Sequence, residues 1–158
     1  MLQRIQTVFL LLVVLLMGAH LLLPLWSFSS EDSEVYYKLF SYYFESNPGT
    51  EEASSTVYFP FATVACLAVA SIVVTIIEIS KFKNRLLQMK LGALNSIFMA
   101  GTMGLGVYFA TDLMEVKQVV GSYGPGLFLP GAAMILNVIA NRFIRKDERL
   151  VRSVDRIR

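Results

Sequence analysis

Lys81-Phe82-Lys83-Asn84-Arg85, with Lys90 shortly after it, separates two long apolar runs at residues 58–79 and 91–110. Short loops that are rich in Lys and Arg stay on the cytoplasmic side when a membrane protein inserts. This basic cluster therefore orients the hydrophobic segments on either side of it. Together these stretches predict that the chain spans a membrane.

The composition also indicates that the chain folds in a lipid bilayer. Hydrophobic residues make up 55% and charged residues 16% of the 158-residue chain, whereas about a quarter of the residues are charged in an ordinary soluble domain. The length suits a single domain. The single cysteine, Cys66, offers no intrachain disulfide. Its place in an apolar run favours a small buried residue over a reactive thiol.

Four segments are long enough to cross the hydrocarbon layer, which takes roughly 17–25 helical residues. The predicted spans of this domain, residues 1–144, are 6–26, 57–80, 88–111 and 124–144, with an outer loop at 27–56. The first span competes with a cleaved signal peptide, but its core exceeds the usual ~7–15 residues and lacks a good cleavage site. We expect it to be retained, and Trp26 to lie at the headgroup level that suits amphipathic rings.

The distribution of Lys and Arg distinguishes the two sides of the membrane. If the loop at Lys83 is cytoplasmic, twelve of the 14 basic residues lie inside and only Lys38 and Lys117 lie outside. With the acids included, the inner side carries +8 and the outer side −6. Because basic residues near the helix ends set orientation, we predict that both termini are cytoplasmic.

Small residues recur every four positions in two of the spans. Ala62, Cys66 and Ala70 form one such stripe in the second span, and Ala100 and Gly104 form another in the third. Stripes of this kind let helix backbones approach closely in lipid, where packing replaces the hydrophobic effect between helices. They predict close helix contacts.

Polar side chains within the spans are candidate sites because they are costly to place in lipid. The candidates are Glu78, Asn95, Asn137 and Asn141. Glu78 lies one turn from Lys81 and two turns from Arg85, which predicts an interfacial ion pair. Asn95 is expected to form a hydrogen bond to a neighbouring helix. The other two asparagines are four residues apart and share a face, which we expect to point inward.

The outer loop at 27–56 is acidic, and its middle, residues 35–44, is unusually aromatic. The spacing of the rings fits neither strict alternation nor a narrow helical stripe, so we expect a short amphipathic helix or a hairpin. Exposed tyrosines suit a partner-binding surface, because aromatic residues are enriched at interface cores. The favoured alternative is that they cap the bundle or pack on the outer leaflet. The candidate contacts are Tyr36, Tyr37, Tyr42 and Tyr43.

Residues 145–158 form a basic tail that we predict to be an amphipathic helix, continuing from the fourth span or bending away from it. At helical spacing one face carries Arg145, Arg149, Arg152 and Arg156, and the opposite face carries Leu150, Val154 and Ile157. The basic face suits anionic lipid headgroups, at ~1 kcal/mol for each base, and the apolar face suits a partner protein. Nucleic-acid binding is not expected, because so short a segment specifies it weakly.

The sequence holds no recognisable catalytic, cofactor-binding or metal-binding motif. One Cys and one His cannot supply a zinc site of ordinary spacing. No nucleophile has a base at a readable spacing, and no glycine-rich loop between a strand and a helix is available for phosphate. His20, within a leucine-rich run, is expected to be a packed residue rather than a ligand.

The two ends of the chain carry a family resemblance. Residues 1–8, MLQRIQTV, and residues 146–158, KDERLVRSVDRIR, with Tyr123-Gly124 and Phe128-Leu129-Pro130 between them, resemble a bacterial family of small four-span membrane proteins, domain of unknown function 4293. The likeness covers the whole chain. It implies location in the bacterial inner membrane, and it transfers no activity and no catalytic residues.

The sequence thus predicts an all-α membrane protein, a four-transmembrane-helix bundle with an amphipathic C-terminal helix. The leading functional hypothesis is a non-enzymatic accessory or scaffold subunit of an inner-membrane complex, without a cofactor, whose partners are membrane lipids and other membrane proteins. The alternative is a small transporter or a channel-forming oligomer. That alternative requires the four intramembrane polar residues to converge on a hydrated path.

Overall fold

Four helices and five short strands make up the computed structural model, which describes residues 2–30, 35–47, 49, 54–82 and 84–155. The helices are α1 (Leu2–Leu22), α2 (Ala62–Ser80), α3 (Arg85–Lys117) and α4 (Pro125–Asp155). The strands are β1 (Trp26–Ser29), β2 (Tyr36–Leu39), β3 (Phe44–Asn47), β4 (Ser55–Val57) and β5 (Ser122–Tyr123). Each of the four helices is long and apolar enough to cross a membrane.

Buried residues recur in alternating steps of three and four along the helices. In α1 they are Gln6, Leu10, Val13, Met17 and His20; in α2 they are Val64, Ala68, Ser71, Thr75 and Glu78. The buried positions of α3 begin with Gln88, Gly92, Asn95 and Met99 and keep the same steps. A mean step of about 3.5 residues is the seam of a left-handed supercoiled bundle. Each helix packs against its sequence neighbours and α1 also packs against α4, so α1 is diagonal to α3.

Cross-helix contacts align these repeats into layers. Gln88 Nε2 donates to the backbone oxygen of Glu78 over 2.9 Å, and Phe9 stacks on Phe143 with 5.7 Å between ring centroids. We call the level nearest the chain termini the terminal layer; its members are Gln6, Glu78, Gln88 and Ile144. The methionine layer, further along the bundle, consists of Val13, Met17, Ala68, Met99 and Ala133.

An antiparallel sheet of strand order β4-β3-β2-β1-β5 closes the opposite end of the bundle, which we call the sheet end. Its apolar side chains join the ends of α2 and α3 in one buried cluster, which includes Trp26, Leu39, Phe44, Phe61 and Phe109. At ~1.5 Å per residue, the 33 residues of α3 extend about 50 Å, against roughly 30 Å of hydrocarbon. The last turns of α3 therefore support the sheet.

The outer loops differ from the sequence predictions. The prediction of an all-α protein was incomplete, because the outer loop forms strands, of which β2 and β3 are the predicted hairpin. The predicted third span ends at residue 111, whereas α3 continues to Lys117. Trp26 is fully buried in β1, because α1 ends at Leu22 and the chain turns at once into the sheet. Its depth relative to the headgroups stays a prediction.

Two further expectations concern the helices. The tail continues directly from the fourth span, since α4 runs without interruption to Asp155. Cys66 is exposed on the outward side of α2, so the expectation of a buried thiol was wrong. The buried seam of α2 passes through Val64 and Ala68, and the helical repeat places Cys66 on the opposite side.

Candidate functional site

His20 joins three parts of the chain at the sheet end. Its Nδ1 lies 2.8 Å from the backbone oxygen of Gly126 in α4, and its Nε2 lies 3.1 Å from Ser41 Oγ in the turn between β2 and β3. A carbonyl oxygen only accepts, so Nδ1 carries the proton in this contact. Ser41 Oγ also lies 3.0 Å from the backbone oxygen of His20, so its one hydroxyl proton is shared between that oxygen and Nε2. The prediction of a packed histidine is confirmed.

Two of the four predicted tyrosine contacts, Tyr36 and Tyr37, lie on β2. The Tyr37 ring stacks between Phe28, at 5.9 Å, and Phe44, at 6.1 Å. Tyr36 donates from its hydroxyl to Glu45 Oε1 over 3.0 Å. This hydrogen bond raises the pKa of Tyr36 above its ordinary value. Tyr37 thus packs against the buried cluster at the sheet end, and the role of these tyrosines as partner contacts stays a prediction.

Tyr42 and Tyr43 lie in the turn between β2 and β3, beside Ser41. Tyr43 stacks on Phe40 at 4.8 Å, and burial raises the pKa of its hydroxyl. Tyr42 contacts Tyr43 at 4.6 Å and remains exposed. Of the four tyrosines, Tyr42 is therefore the one that presents most of its ring to the surroundings.

The methionine layer separates the sheet end from the polar half of the bundle. Its members are all buried and apolar. A hydrated path along the axis would have to pass Met17 and Met99, which are both fully buried. This layer argues against the continuous path that the transporter alternative requires.

Asn95 lies at the centre of a hydrogen-bond network on the terminal side of the methionine layer. Its Oδ1 accepts from Ser71 Oγ over 2.6 Å, and its Nδ2 donates to Thr75 Oγ1 over 2.7 Å. Thr75 Oγ1 in turn donates to the backbone oxygen of Ser71 over 2.8 Å. The predicted hydrogen bond from Asn95 to a neighbouring helix is confirmed.

Asn137 and Asn141 share one face of α4, as their spacing predicted, and that face is directed at α3. Asn137 Nδ2 donates to the backbone oxygen of Gly92 over 2.7 Å and to Ser96 Oγ over 3.0 Å. The Asn141 side chain lies directly against Gly92, in the space that a Cβ atom there would occupy. Gly92 is thus the position that lets α4 approach α3 closely.

Glu78 does not form the predicted ion pair among the described residues. Its side chain is fully buried, and neither carboxylate oxygen has a hydrogen-bond partner in the part of the chain that the structure describes. Arg85 Nη2 instead lies 2.9 Å from Asp147 Oδ2, which is within ion-pair distance. The two groups are not aligned as a hydrogen bond. Lys81 is exposed beyond the end of α2. Glu78 is therefore a buried acceptor without a donor.

The sequence of residues 2–157 matches a family described as a domain of unknown function, DUF4293. The chain belongs to this family. The match covers nearly the whole polypeptide, so the four helices and the sheet together make up the family's domain. No curated protein matches the chain.

The basic tail of this DUF4293 domain is only partly described. Arg145, Arg149 and Leu150 are exposed on the last turns of α4. For Arg152 and Val154 the structure describes the helical backbone alone, and Arg156 and Ile157 lie outside the described residues. The assignment of the tail to lipid or to protein stays a prediction.

The polar groups of this DUF4293 member include three that the sequence reasoning missed: Gln6, Ser41 and Gln88. The two glutamines continue the steps of three and four residues that Leu10, Val13 and Asn95 follow. This periodicity could have shown that they are buried. Ser41 gave no signal, because its role depends on how the sheet folds back on α1. Among the described residues, no three His, Cys, Asp or Glu side chains form a group that could hold a metal ion.

Proposed function

We propose that this protein is a non-enzymatic accessory or scaffold subunit of a protein complex in the bacterial inner membrane. We further propose that both termini lie in the cytoplasm and that the sheet lies on the outer face. The excess of basic residues at the chain termini and in the loop at Lys83 supports this orientation.

The observation that carries the proposal is that part of the small-residue stripes points out of the bundle. Ala100 and Gly104 of the second stripe are exposed, and in the first stripe Cys66 is exposed while Ala62 and Ala70 are half-buried. A Cβ atom added at Gly104 would meet nothing within 4 Å. Because small residues let helix backbones approach closely in lipid, these stripes suit a helix from another protein.

The sheet offers a second contact region outside the spans. All three residues of the edge strand β4 are exposed, and an open edge strand can pair with an extended segment of a partner. The outer loops carry an excess of acidic residues, which favours a partner with a basic surface. The transporter alternative has less support, because the methionine layer is apolar.

Photo-cross-linking from Cys66 tests the proposal. Cys66 is the only cysteine of the chain, so a thiol-reactive benzophenone labels the α2 stripe in native membranes without any substitution. We expect a discrete protein adduct. A matched control carries Cys66→Ser and Leu15→Cys, which moves the label to an outward position of α1 that is 66% exposed.

Native mass measurement after mild detergent extraction provides the second arm. Gly104→Leu fills the α3 stripe without an internal clash, so we expect it to release the cross-linked partner, whereas Leu15→Ala retains it. Adducts to lipid alone, together with a monomer that carries no other protein, would refute the proposal.

A further inference from the structure

Three helices place unpartnered acceptors together in the terminal layer. Gln6 of α1, Glu78 of α2 and Gln88 of α3 are 2%, 0% and 1% exposed. Among the described residues, no hydrogen-bond donor reaches Gln6 Oε1, Gln88 Oε1 or either carboxylate oxygen of Glu78. Native interiors leave few buried polar atoms without a partner, so four in one layer require an explanation.

Several contacts place these side chains at one level of the bundle. The Gln88 side chain reaches the Glu78 backbone directly. Met17 of α1 and Ala68 of α2 belong to one buried cluster. Gln6 and Glu78 lie eleven and ten residues from them towards the terminal end, which is nearly the same rise along the bundle. Since all three side chains occupy the buried seams of antiparallel neighbours, the seams direct them to the bundle axis.

Among the described residues, the charged groups around this layer leave Glu78 without a positive partner. Arg85, one turn from Gln88, is paired with Asp147, and Lys81 is exposed. The neighbouring levels towards the sheet end hold the neutral Asn95 network and then the methionine layer. A buried carboxylate is costly unless it is paired or takes up a proton. One proton on Glu78 would still leave two of these four oxygens without a partner, so a partner that serves all of them comes from solution.

The ligand chemistry identifies that partner. A carboxylate and amide oxygens are ligands of hard cations, and Glu78 is the one acid of the layer, so a single positive charge balances the site. A divalent ion would leave an excess charge in an apolar bundle. We propose that the terminal layer binds one monovalent metal cation, for which sodium is the probe.

The cation enters from the terminal end, because the methionine layer closes the bundle in the other direction. Its coordination ties α1, α2 and α3 together through one ion. The site therefore makes the stability of the bundle depend on the cation, and it does not conduct. This inference stands independently of the proposed subunit role, since it concerns the isolated chain.

Thermal unfolding of the purified full chain in a neutral detergent tests the inference. A ligand that binds only the folded state raises the melting temperature. We expect sodium to raise it by about 3–6 °C over choline at equal ionic strength. Glu78→Gln, which keeps the shape but removes the charge, is expected to abolish the shift, and Gln88→Leu to weaken the apparent sodium affinity at least tenfold. Glu115→Gln, an exposed acid at the other end of α3, is the control and is expected to retain the shift.

Sodium-23 line broadening on the wild-type protein gives a second readout that needs no variant. Broadening that is lost in Glu78→Gln supports the site. Equal stabilisation by choline, an unchanged sodium response in Glu78→Gln, or an infrared band from a protonated Glu78 carboxyl in saturating sodium would overturn the inference.

Discussion

His20 and Glu78 are fully buried titratable side chains at opposite ends of the same bundle. The imidazole of His20 uses both of its nitrogens, towards Gly126 and Ser41. The carboxylate of Glu78 has no partner among the described residues. Burial alone therefore does not reveal what a polar residue does in this protein; the local balance of donors and acceptors does.

The difference follows from the surroundings of the two side chains. At the sheet end the chain turns back on α1, so a backbone carbonyl and a serine hydroxyl are available to His20. At the terminal end the neighbours of Glu78 are helices, whose backbone groups are mostly occupied by their own hydrogen bonds. A hydrogen-bond acceptor at the terminal end therefore depends on a side chain or on a solute for its partner. In our proposal the sheet end holds the fold together, whereas the terminal layer binds a ligand.

The largest effect is expected where α4 meets the end of α1. A Cβ atom at Gly126 would lie 2.6 Å from the backbone oxygen of Leu23, and backbone cannot give way as a flexible side chain can. Gly126→Ala should cost about 3 kcal/mol or more, or prevent folding. Gly104→Ala is the control; it meets open space and should stabilise the helix by up to about 1 kcal/mol. Unfolding in mixed detergent micelles measures both, and equal stabilities would contradict the close approach of α4 to α1.

The next effect contrasts the two buried titratable residues directly. His20→Leu leaves the Gly126 carbonyl without its donor and should cost about 2–3 kcal/mol of unfolding free energy. Glu78→Met removes a buried acid that has no donor, so in sodium-free buffer it should be neutral or stabilising by about 1 kcal/mol. The same micelle unfolding assay reports both variants. A loss at Glu78 as large as that at His20 would show that the two ends do not differ in this way.

The number of helices could be predicted from the sequence because lipid imposes a simple rule. A spanning helix needs a long apolar run, and four such runs stand out. The ends of the helices were harder to predict: α3 and α4 both continue past the apolar stretch, to Lys117 and Asp155. Hydropathy reports where lipid ends, whereas a helix ends where its backbone loses its hydrogen bonds.

The sheet was harder to predict from the sequence than the intramembrane asparagines, and the contacts of Glu78 were predicted wrongly. Strands of two to four residues are too short to show an alternating pattern, so β1, β4 and β5 gave no signal. Asn95 and Asn137 could be predicted to face other helices, because polar groups within lipid need partners. The ion pair expected of Glu78 was wrong because sequence distance to Lys81 and Arg85 says nothing about direction. Glu78 points along the buried seam, and those bases do not.

The smallest effect is expected on the surface of the sheet, where Tyr36 donates to Glu45. This hydrogen bond raises the pKa of Tyr36, so its contribution to stability is complete below the ordinary tyrosine value of about 10 and is lost as the pH rises through the folded-state pKa. Glu45→Gln should return the Tyr36 titration towards the ordinary value, which carbon-13 tyrosine NMR can follow. Tyr36→Phe identifies the signal. If Glu45→Gln leaves the pKa of Tyr36 unchanged, the hydrogen bond is not formed in solution. The polar groups on the surface of the sheet would then be less fully paired than those around His20.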